Sequence, residues 1–277
     1  MIRERFVEVD GIQTRYLHAG NRVSPSLLLL HGSGPGVSAQ ANWSKIIPLL
    51  EEHYEIYAPD LLGFGQTQAP SANYGRFTMD SLSNHVQRFI EKLEIGNVFV
   101  IGNSMGGALA LRLALCIPEQ IRSMVLMGAV GVRFPITEGL RAVWGYRPHN
   151  RTDMERIMDF FSYDKSLLTS ELVDLRYQAS LEPRTRESYE QMFPQHLLQD
   201  ILDNMATSEE DLRRITTPTL LVHGREDQVI PVEASVQLSQ IIPQAEMHIF
   251  SQCGHWTQIE KTRPFTTLSM DFFSRNS

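Results

Sequence analysis

The chain has 277 residues, of which 42% are hydrophobic and 21% charged, and its formal net charge at neutral pH is −7. This length can bury a large core, and it fits one α/β domain with an insertion as well as two domains. Lysine and arginine form no basic stripe, so we expect no nucleic-acid partner. The acidic balance is most simply explained by solubility.

The sequence favours neither a membrane nor a secreted protein. The first residues lack the apolar core of a signal peptide, and no apolar run approaches the roughly 20 residues that span a bilayer. The only two cysteines, Cys116 and Cys253, do not form a disulfide framework. We therefore expect a cytoplasmic protein with no membrane partner. The histidines lack metal-site spacing, so no metal is expected either.

Strand and helix signals alternate along the first half of the chain. Asp10-Gly11 is a strong hairpin-turn signal between two strand-like runs. Short apolar runs indicate buried strands, and apolar residues at helical spacing indicate helices. The predicted strands are Arg5–Val9, Ile12–Leu17, Leu27–Leu30, Glu55–Pro59 and Asn97–Ile101, and the predicted helices are Asn84–Leu93 and Ala108–Cys116.

The second half continues the alternation after a long interruption. Buried-type strands are predicted at Arg122–Val130, Thr219–His223 and Glu246–Phe250, and a closing helix at Phe265–Phe273. Buried strands alternating with helices indicate an α/β fold with a mainly parallel, doubly wound sheet. Residues 134–207 are aromatic-rich, with helical patterns and no convincing strand. We interpret them as a helical lid between core parts 1–133 and 208–277, covering the ligand-binding edge of the sheet. An ordinary helical subdomain with its own core is compatible with the same pattern.

The six residues 102–107 carry the main functional signal. Their sequence, Gly-Asn-Ser-Met-Gly-Gly, joins a predicted strand to a predicted helix, and in that context Gly-x-Ser-x-Gly indicates a nucleophile elbow. The glycines leave room for a sharp turn that exposes the Ser104 hydroxyl at a helix N-terminus. We predict that Ser104 is a catalytic nucleophile. The alternative is a turn of small residues that only packs.

Two later residues complete a predicted catalytic triad. A serine needs a base to take its proton, and the base needs an acid to orient it. Hydrolases with this elbow carry the three in the order serine, acid, histidine. Asp227 follows the strand Thr219–His223, and His255 follows the last predicted strand, so both project from the same sheet edge as Ser104. Structural alternatives are a helix cap for Asp227 and an ordinary loop residue for His255.

An oxyanion hole needs two N–H donors aimed at the developing charge. We expect one from the Met105 amide, directly after the nucleophile. The other is expected from Ser33 or Gly34 in the glycine-rich loop 31–36 after an early strand. The same loop resembles a phosphate-binding loop, but no Gly-Lys-Ser/Thr follows it, which argues against a nucleotide site.

Several segments together resemble the meta-cleavage product hydrolases of bacterial aromatic degradation, a branch of the α/β-hydrolase superfamily. The matching stretches are 31–38 with Asn42-Trp43, 102–107, 125–128, 137–140 with 142–146, 163–168 with 176–177, 223–228 and 253–260. The likeness covers core and lid, and it is greatest to the 2-hydroxymuconate-semialdehyde hydrolases. It implies the α/β-hydrolase fold with a helical lid, and a possible homo-oligomer.

The resemblance implies cofactor-independent hydrolysis of a carbon–carbon bond. The family's substrates are 2-hydroxy-6-oxo-hexa-2,4-dienoates, and the products are 2-hydroxypenta-2,4-dienoate and a carboxylic acid. Ser104 would attack the 6-oxo carbon, His255 would shuttle protons, and Asp227 would hold the imidazole in its tautomer. Tautomerisation of the dienol must come first, so that the leaving carbon departs as a stabilised carbanion equivalent.

Four residues are implied to bind the carboxylated dienoate. Arg176 is the most diagnostic, because a guanidinium matches a carboxylate and a simple esterase needs no cation opposite its serine. Asn42 and Asn103 could hold the 2-hydroxy or carboxylate oxygens, or merely stabilise turns. Trp256 is expected to wall the pocket, or to be core. The alternative to Arg176 as a ligand is a solvated helix-face arginine, and Cys253 is interpreted as packing.

Two rival functions remain open at the level of sequence. A broad-specificity carboxylesterase on the same scaffold would use the same triad, but Arg176 would matter little to it. A binding protein could keep the fold and lose the chemistry, although such proteins usually lack a triad member. Dehalogenases and epoxide hydrolases place aspartate at the elbow, so Ser104 argues against them.

Overall fold

An eight-stranded β-sheet forms the centre of the protein in the computed structural model, which describes residues 1–67 and 77–277. The strands are β1 (Arg3–Val9), β2 (Ile12–Ala19), β3 (Ser26–Leu30), β4 (Glu55–Pro59), β5 (Val98–Asn103), β6 (Ile121–Met127), β7 (Thr219–Gly224) and β8 (Ala245–Phe250). Their spatial order is β1-β2-β4-β3-β5-β6-β7-β8. β3 to β8 pair in parallel, whereas β1–β2 and β2–β4 are antiparallel. The predicted mainly parallel sheet is confirmed.

Helices connect the strands and cover both faces of the sheet. In the described residues they are α1 (Ala39–Trp43), α2 (Ile47–Leu50), α3 (Met79–Lys92), α4 (Met105–Cys116), α5 (Glu138–Trp144), α6 (Arg151–Phe161), α7 (Ser170–Leu181), α8 (Pro183–Met192), α9 (Leu198–Met205), α10 (Glu209–Arg214), α11 (Val232–Ile241), α12 (Thr257–Glu260) and α13 (Thr262–Arg275). No helix in the described ranges is long and apolar enough to cross a lipid bilayer.

The alternation of side chains along the strands divides the core into two layers. On β3, Leu28 and Leu30 belong to the cluster packed against α3, α4 and α11. Leu27 and Leu29 point to the opposite cluster, with the aromatic side chains of α13. All four leucines are fully buried. An all-apolar strand is therefore required, because both of its faces are covered by helices.

Local backbone chemistry explains where the elements differ from the sequence expectations. The hairpin turn forms with Asp10 at φ 48° and Gly11 at φ 80°, the left-handed values a tight turn requires. Helix α3 starts five residues before the predicted Asn84, because Thr78 and Ser81 form a reciprocal capping box. The predicted helix did not include that first turn, although Met79 and Leu82 in it are buried.

Two strand predictions were wrong in part. The strand predicted as Arg122–Val130 ends at Met127, because Gly128 adopts φ 48° and turns the chain out of the sheet. The strand predicted as buried at Glu246–Phe250 is half-exposed, because β8 is the edge strand and has a neighbour on one side only. Ile249 on that strand is exposed.

A helical insertion, residues 134–207, lies between β6 and β7 and consists of α5 to α9 with short 3₁₀ turns, and α10 follows it before β7. It contacts loops that follow the carboxyl ends of the strands. Trp144 donates a 2.8 Å hydrogen bond from Nε1 to Ser33 Oγ, after β3. The Trp256 amide, after β8, donates to the Phe161 carbonyl at 3.1 Å. The insertion therefore lies over the edge of the sheet where parallel strands end.

The closing helix gives a stability prediction. The Phe273 ring is fully buried and stacks on Phe99 with centroids 4.7 Å apart. Phe273→Ala should lower the free energy of unfolding by about 3–5 kcal/mol, because it leaves a cavity in the core. Urea denaturation measures this loss. Phe6→Ala, the same change at a 45% exposed site on β1, should lower it by less than about 1 kcal/mol. Equal losses would contradict the layer assignment.

Candidate active site

The turn between β5 and α4 holds Ser104 in an unusual backbone conformation. Its φ is 54° and its ψ is −116°, a sparsely populated region for a residue with a side chain. A Cβ atom on Gly102 would lie 2.5 Å from the Gly106 carbonyl oxygen, and one on Gly106 would overlap the carbonyl oxygen of Leu30. Only glycine fits at both positions, so the motif is required by the close backbone packing of the turn.

Asp227 and His255 form a buried hydrogen-bonded pair. Asp227 lies in the loop after β7, and His255 lies in the loop after β8. His255 Nδ1 is 2.7 Å from Asp227 Oδ2. Because a carboxylate only accepts, Nδ1 carries the proton and Nε2 remains the basic nitrogen. The second oxygen, Oδ1, accepts the amides of Val229 at 2.7 Å and Ile230 at 3.0 Å.

A second imidazole, that of His223, also lies against Asp227. His223 Nε2 is 3.2 Å from Asp227 Oδ2 and 3.0 Å from the Ile230 carbonyl oxygen, while Nδ1 is 2.7 Å from Ser235 Oγ. Burial would raise the pKa of Asp227, but the charge and hydrogen bonds of His255 and His223 hold that pKa below its usual range. Asp227 is therefore ionised at neutral pH.

The loop that follows β3 is fixed by the buried His31. Its Nε2 accepts the Leu61 amide at 2.9 Å, so Nδ1 carries the proton and donates to the Gly32 carbonyl at 2.7 Å. Burial lowers the pKa of His31, which keeps it neutral. In a trans peptide the carbonyl and the next N–H point in opposite directions, so the Ser33 amide is held facing away from His31. Met105 is the first residue of α4, and its amide has no acceptor within the helix.

One cavity brings most of the predicted residues together. Ser104, His255, Ser33 and Gly34 line it. Asn42, Asn103, Arg176 and Trp256 line it as well, with an apolar wall from α5 and α6 that includes Leu140, Val143, Trp144, Met154, Ile157 and Met158. Asp227 contacts the cavity only through His255. Ser104 and His255 share the cavity but form no hydrogen bond with each other, and such bonds often tighten only in the substrate complex.

Arg176 is the most unusual side chain of the cavity. It is 5% exposed, and its guanidinium has no hydrogen bond or ion pair with any side chain in the described ranges. Its Cζ lies 5.6 Å from the centroid of the Trp256 ring. Burial lowers the pKa of Arg176 to about 10, which still leaves it charged at neutral pH. A buried cation without a partner is strongly unfavourable, so the cavity is suited to an anionic ligand.

The two asparagines differ in their free hydrogen-bonding groups. Asn42, on α1, is 4% exposed, and its Nδ2 has no partner in the described part of the chain. Asn103 donates from Nδ2 to the Met127 carbonyl at 3.3 Å, which leaves its second amide hydrogen available. The sulfur of Cys253 is buried, and burial raises the pKa of this thiol to about 12, in keeping with a packing role.

Sequence reasoning missed Gly128 as part of the site. Its φ is 48°, and a Cβ atom there would lie 3.1 Å from His255 Nδ1 and 3.2 Å from Asp227 Oδ2. The only signals were a glycine inside the predicted strand Arg122–Val130 and its place at the end of the matching stretch 125–128. The sequence also gave no signal that the side chains of His31 and His223 contribute to the site. No cluster suited to a metal ion occurs in the described residues.

Comparison with known proteins agrees with this geometry. A family model described as the alpha/beta hydrolase fold matches residues 25–262. The 2-hydroxy-6-oxo-2,4-heptadienoate hydrolase of Pseudomonas putida is 46% identical, over 98% of this chain and 96% of the relative. The 2-hydroxymuconate semialdehyde hydrolase of Pseudomonas sp. strain CF600 is also 46% identical, over 98% of this chain and 93% of its own length.

A solved structure extends the comparison to three dimensions. The meta-cleavage product hydrolase CumD of Pseudomonas fluorescens IP01, a serine-to-alanine mutant complexed with acetates, superimposes with a TM-score of 0.94. It is 44% identical, with 99% of this chain and 98% of that chain covered. The chain belongs to the alpha/beta hydrolase family, among the meta-cleavage product hydrolases. The resemblance seen in the sequence is thus confirmed.

The position of Gly128 gives a prediction for this hydrolase. Gly128→Ala should lower kcat by at least about tenfold, because the methyl group pushes against the Asp227–His255 pair and a small displacement is costly to the rate. Gly11→Ala is the matched control, since Gly11 also has positive φ but nothing lies within 4 Å of its Cβ position. Steady-state hydrolysis should be unchanged in Gly11→Ala. If both variants keep wild-type rates, Gly128 does not constrain the pair.

Proposed function

We propose that the protein hydrolyses a carbon–carbon bond in 2-hydroxy-6-oxo-hexa-2,4-dienoate-type meta-cleavage products of aromatic degradation. The products are 2-hydroxypenta-2,4-dienoate and a carboxylic acid. The observation that carries the proposal is the buried Arg176 in the cavity of Ser104, which has no ion-pair partner among the described residues, because this substrate class bears a carboxylate. The names of relatives 46% identical over almost the whole chain support the same reaction.

The substrate must first tautomerise to a form that can accept the electron pair of the C5–C6 bond. In the enol form C5 is part of a conjugated diene, so it cannot leave with an electron pair. Moving the proton of the 2-hydroxyl to C5 gives a 2-keto group conjugated to C3=C4. His255 Nε2 is suited to this transfer, since Asp227 keeps Nδ1 protonated and Nε2 basic.

Ser104 then attacks the 6-oxo carbon while His255 takes the hydroxyl proton. When the C5–C6 bond breaks, its electron pair forms C4=C5, and the C3=C4 pair forms C2=C3. The charge comes to rest on the C2 oxygen, which His255 reprotonates. The acyl group stays on Ser104 until water, deprotonated by His255, releases it as the carboxylic acid. Each step balances with protein groups and water alone, in line with the expected absence of a cofactor.

Two amides are proposed to stabilise the oxyanion on C6. One is that of Met105 at the N-terminus of α4, where the helix dipole adds to the effect. For the second, the hydrogen bond from His31 to the Gly32 carbonyl supports Ser33 over Gly34. That bond fixes the peptide whose N–H belongs to Ser33.

The dienoate carboxylate is proposed to bind Arg176, with Asn42 Nδ2 and the free amide hydrogen of Asn103 on the nearby oxygens. Trp256 would pack against the planar dienoate. We propose that the helical insertion is a lid, with residues 1–133 and 208–277 as the two parts of the core. A cytoplasmic location and association into a homo-oligomer, without nucleic acid or membrane, also belong to the proposal.

Arg176 provides the test. Arg176→Ala should lower kcat/KM for 2-hydroxymuconate semialdehyde by about 30- to 1,000-fold, equivalent to about 2–4 kcal/mol of transition-state binding. The cause is loss of the only charged partner for the carboxylate among the described cavity residues. Stopped-flow loss of the yellow dienoate chromophore measures the rate, and hydrolysis of p-nitrophenyl acetate, which has no carboxylate, should change less than about threefold.

Each alternative function predicts a different result in assays on the wild-type protein. If the wild-type protein leaves the chromophore unchanged but hydrolyses the ester, it is a carboxylesterase. A fluorophosphonate should label Ser104 and fail to label Ser104→Ala. No adduct on the wild-type protein would instead favour a binding protein that has lost its chemistry.

A further inference from the structure

The carboxylate of Glu260 lies between the helical insertion and the loop of His255. Its Oε1 accepts the Gly254 amide at 2.8 Å, one residue before His255. Its Oε2 accepts the amides of Tyr163 at 2.8 Å and Asp164 at 3.0 Å, two and three residues after the end of α6. Hydrogen bonds to an ionised acceptor are roughly twice as strong as neutral ones. One side chain thus joins two segments about a hundred residues apart in sequence.

The backbones of these segments are also in direct contact. The Trp256 amide donates to the Phe161 carbonyl at 3.1 Å. A Cβ atom on Gly254 would lie 2.8 Å from the Phe161 carbonyl oxygen and 2.9 Å from the Tyr163 nitrogen. Glycine is therefore required at 254 for the insertion to lie this close.

The contact reaches the imidazole through Phe161. The ring of Phe161 is stacked on Trp256, with centroids 5.0 Å apart and planes 5° apart. The same ring lies 5.8 Å from the His255 ring and lines the cavity. Movement of the end of α6 would therefore displace the Phe161 ring, which contacts both the His255 ring and the Trp256 ring.

A different carboxylate, that of Glu226, attaches the neighbouring residue Cys253 to the core. Glu226 Oε2 accepts the Cys253 amide at 3.0 Å, and the Glu226 amide donates to the Cys253 carbonyl at 3.0 Å. Glu226 neighbours Asp227 and makes no hydrogen bond to the insertion within the described ranges. Within two residues of His255, the loop is thus attached to the core through Glu226, and to the insertion through Glu260 and the Trp256 amide.

We propose that Glu260 is a positioning residue that couples closure of the insertion to the placement of His255. The proposal rests on the function proposed above and concerns the same site. With the insertion closed, Gly254 is held and His255 is aligned on Asp227. When the end of α6 lifts, Glu260 loses two of its three donors, and the loop is held only from the core side. Proton transfer is then efficient only under a closed lid.

The test compares three charge-removing variants of equal size. Glu260→Gln replaces one acceptor oxygen by an NH₂ group that cannot accept a backbone N–H. Glu226→Gln makes the same change at the core attachment. Asp159→Asn makes it on the surface of the insertion, where Asp159 pairs with Lys165 at 2.9 Å, away from the His255 loop.

Two readouts apply to each variant, and neither depends on the dienoate reaction. The rate of fluorophosphonate labelling of Ser104 reports the placement of His255. Amide hydrogen exchange within α6, Arg151–Phe161, reports closure of the insertion. Glu260→Gln should slow labelling by at least about tenfold and speed α6 exchange by a similar factor. Glu226→Gln should slow labelling alone, and Asp159→Asn should change neither.

Kinetics on 2-hydroxymuconate semialdehyde add a third readout. Glu260→Gln should lower kcat by at least about tenfold while KM changes less than about threefold, because the alignment of His255 is lost and the carboxylate site is kept. The coupling is wrong if Glu260→Gln alters only one of labelling and α6 exchange, or neither, or if Glu226→Gln alters both. A wild-type protein inert toward the dienoate would refute the proposed function and leave these two readouts valid.

Discussion

The geometry of the site depends on the tight backbone contact between the turn after β5 and the end of β3. Gly106 packs against the carbonyl of Leu30 with no room for a side chain. This contact places the N-terminus of α4 beside the loop that begins at His31. The strained backbone of Ser104 follows from it, because the chain must reverse within one residue between a buried strand and a buried helix. Packing of the sheet core thus holds that conformation.

Two buried charged side chains near the cavity, Asp227 and Arg176, differ in their interaction partners. Asp227 is surrounded by two backbone amides and two imidazoles, so its charge is fully compensated. Among the described residues, the guanidinium of Arg176 has only the face of Trp256. A protein selected for stability alone would not leave a guanidinium in that state. Asp227 is therefore suited to keep a fixed charge and orientation, whereas Arg176 is suited to bind an anion.

The sequence predicted the features that depend on residues close together in the chain. Apolar runs gave the strands of the sheet, and glycines around Ser104 gave the turn, because these depend on periodicity and on space within a few residues. Contacts between distant segments had no such signal. The bridge from Glu260 to Tyr163 spans 97 residues, and the fixing of Gly32 by His31 depends on Leu61. The left-handed backbone of Gly128 and the edge position of β8 likewise follow from tertiary packing.

Under the proposed binding of the dienoate carboxylate, Arg176 would also link the folding equilibrium to the supply of substrate. A desolvated cation weakens the native state, and a carboxylate that binds it only in the folded form shifts the equilibrium back. On that proposal the chain is less stable when the cavity holds no anion than when substrate or product is bound. Resistance to unfolding and proteolysis would then rise with the supply of substrate.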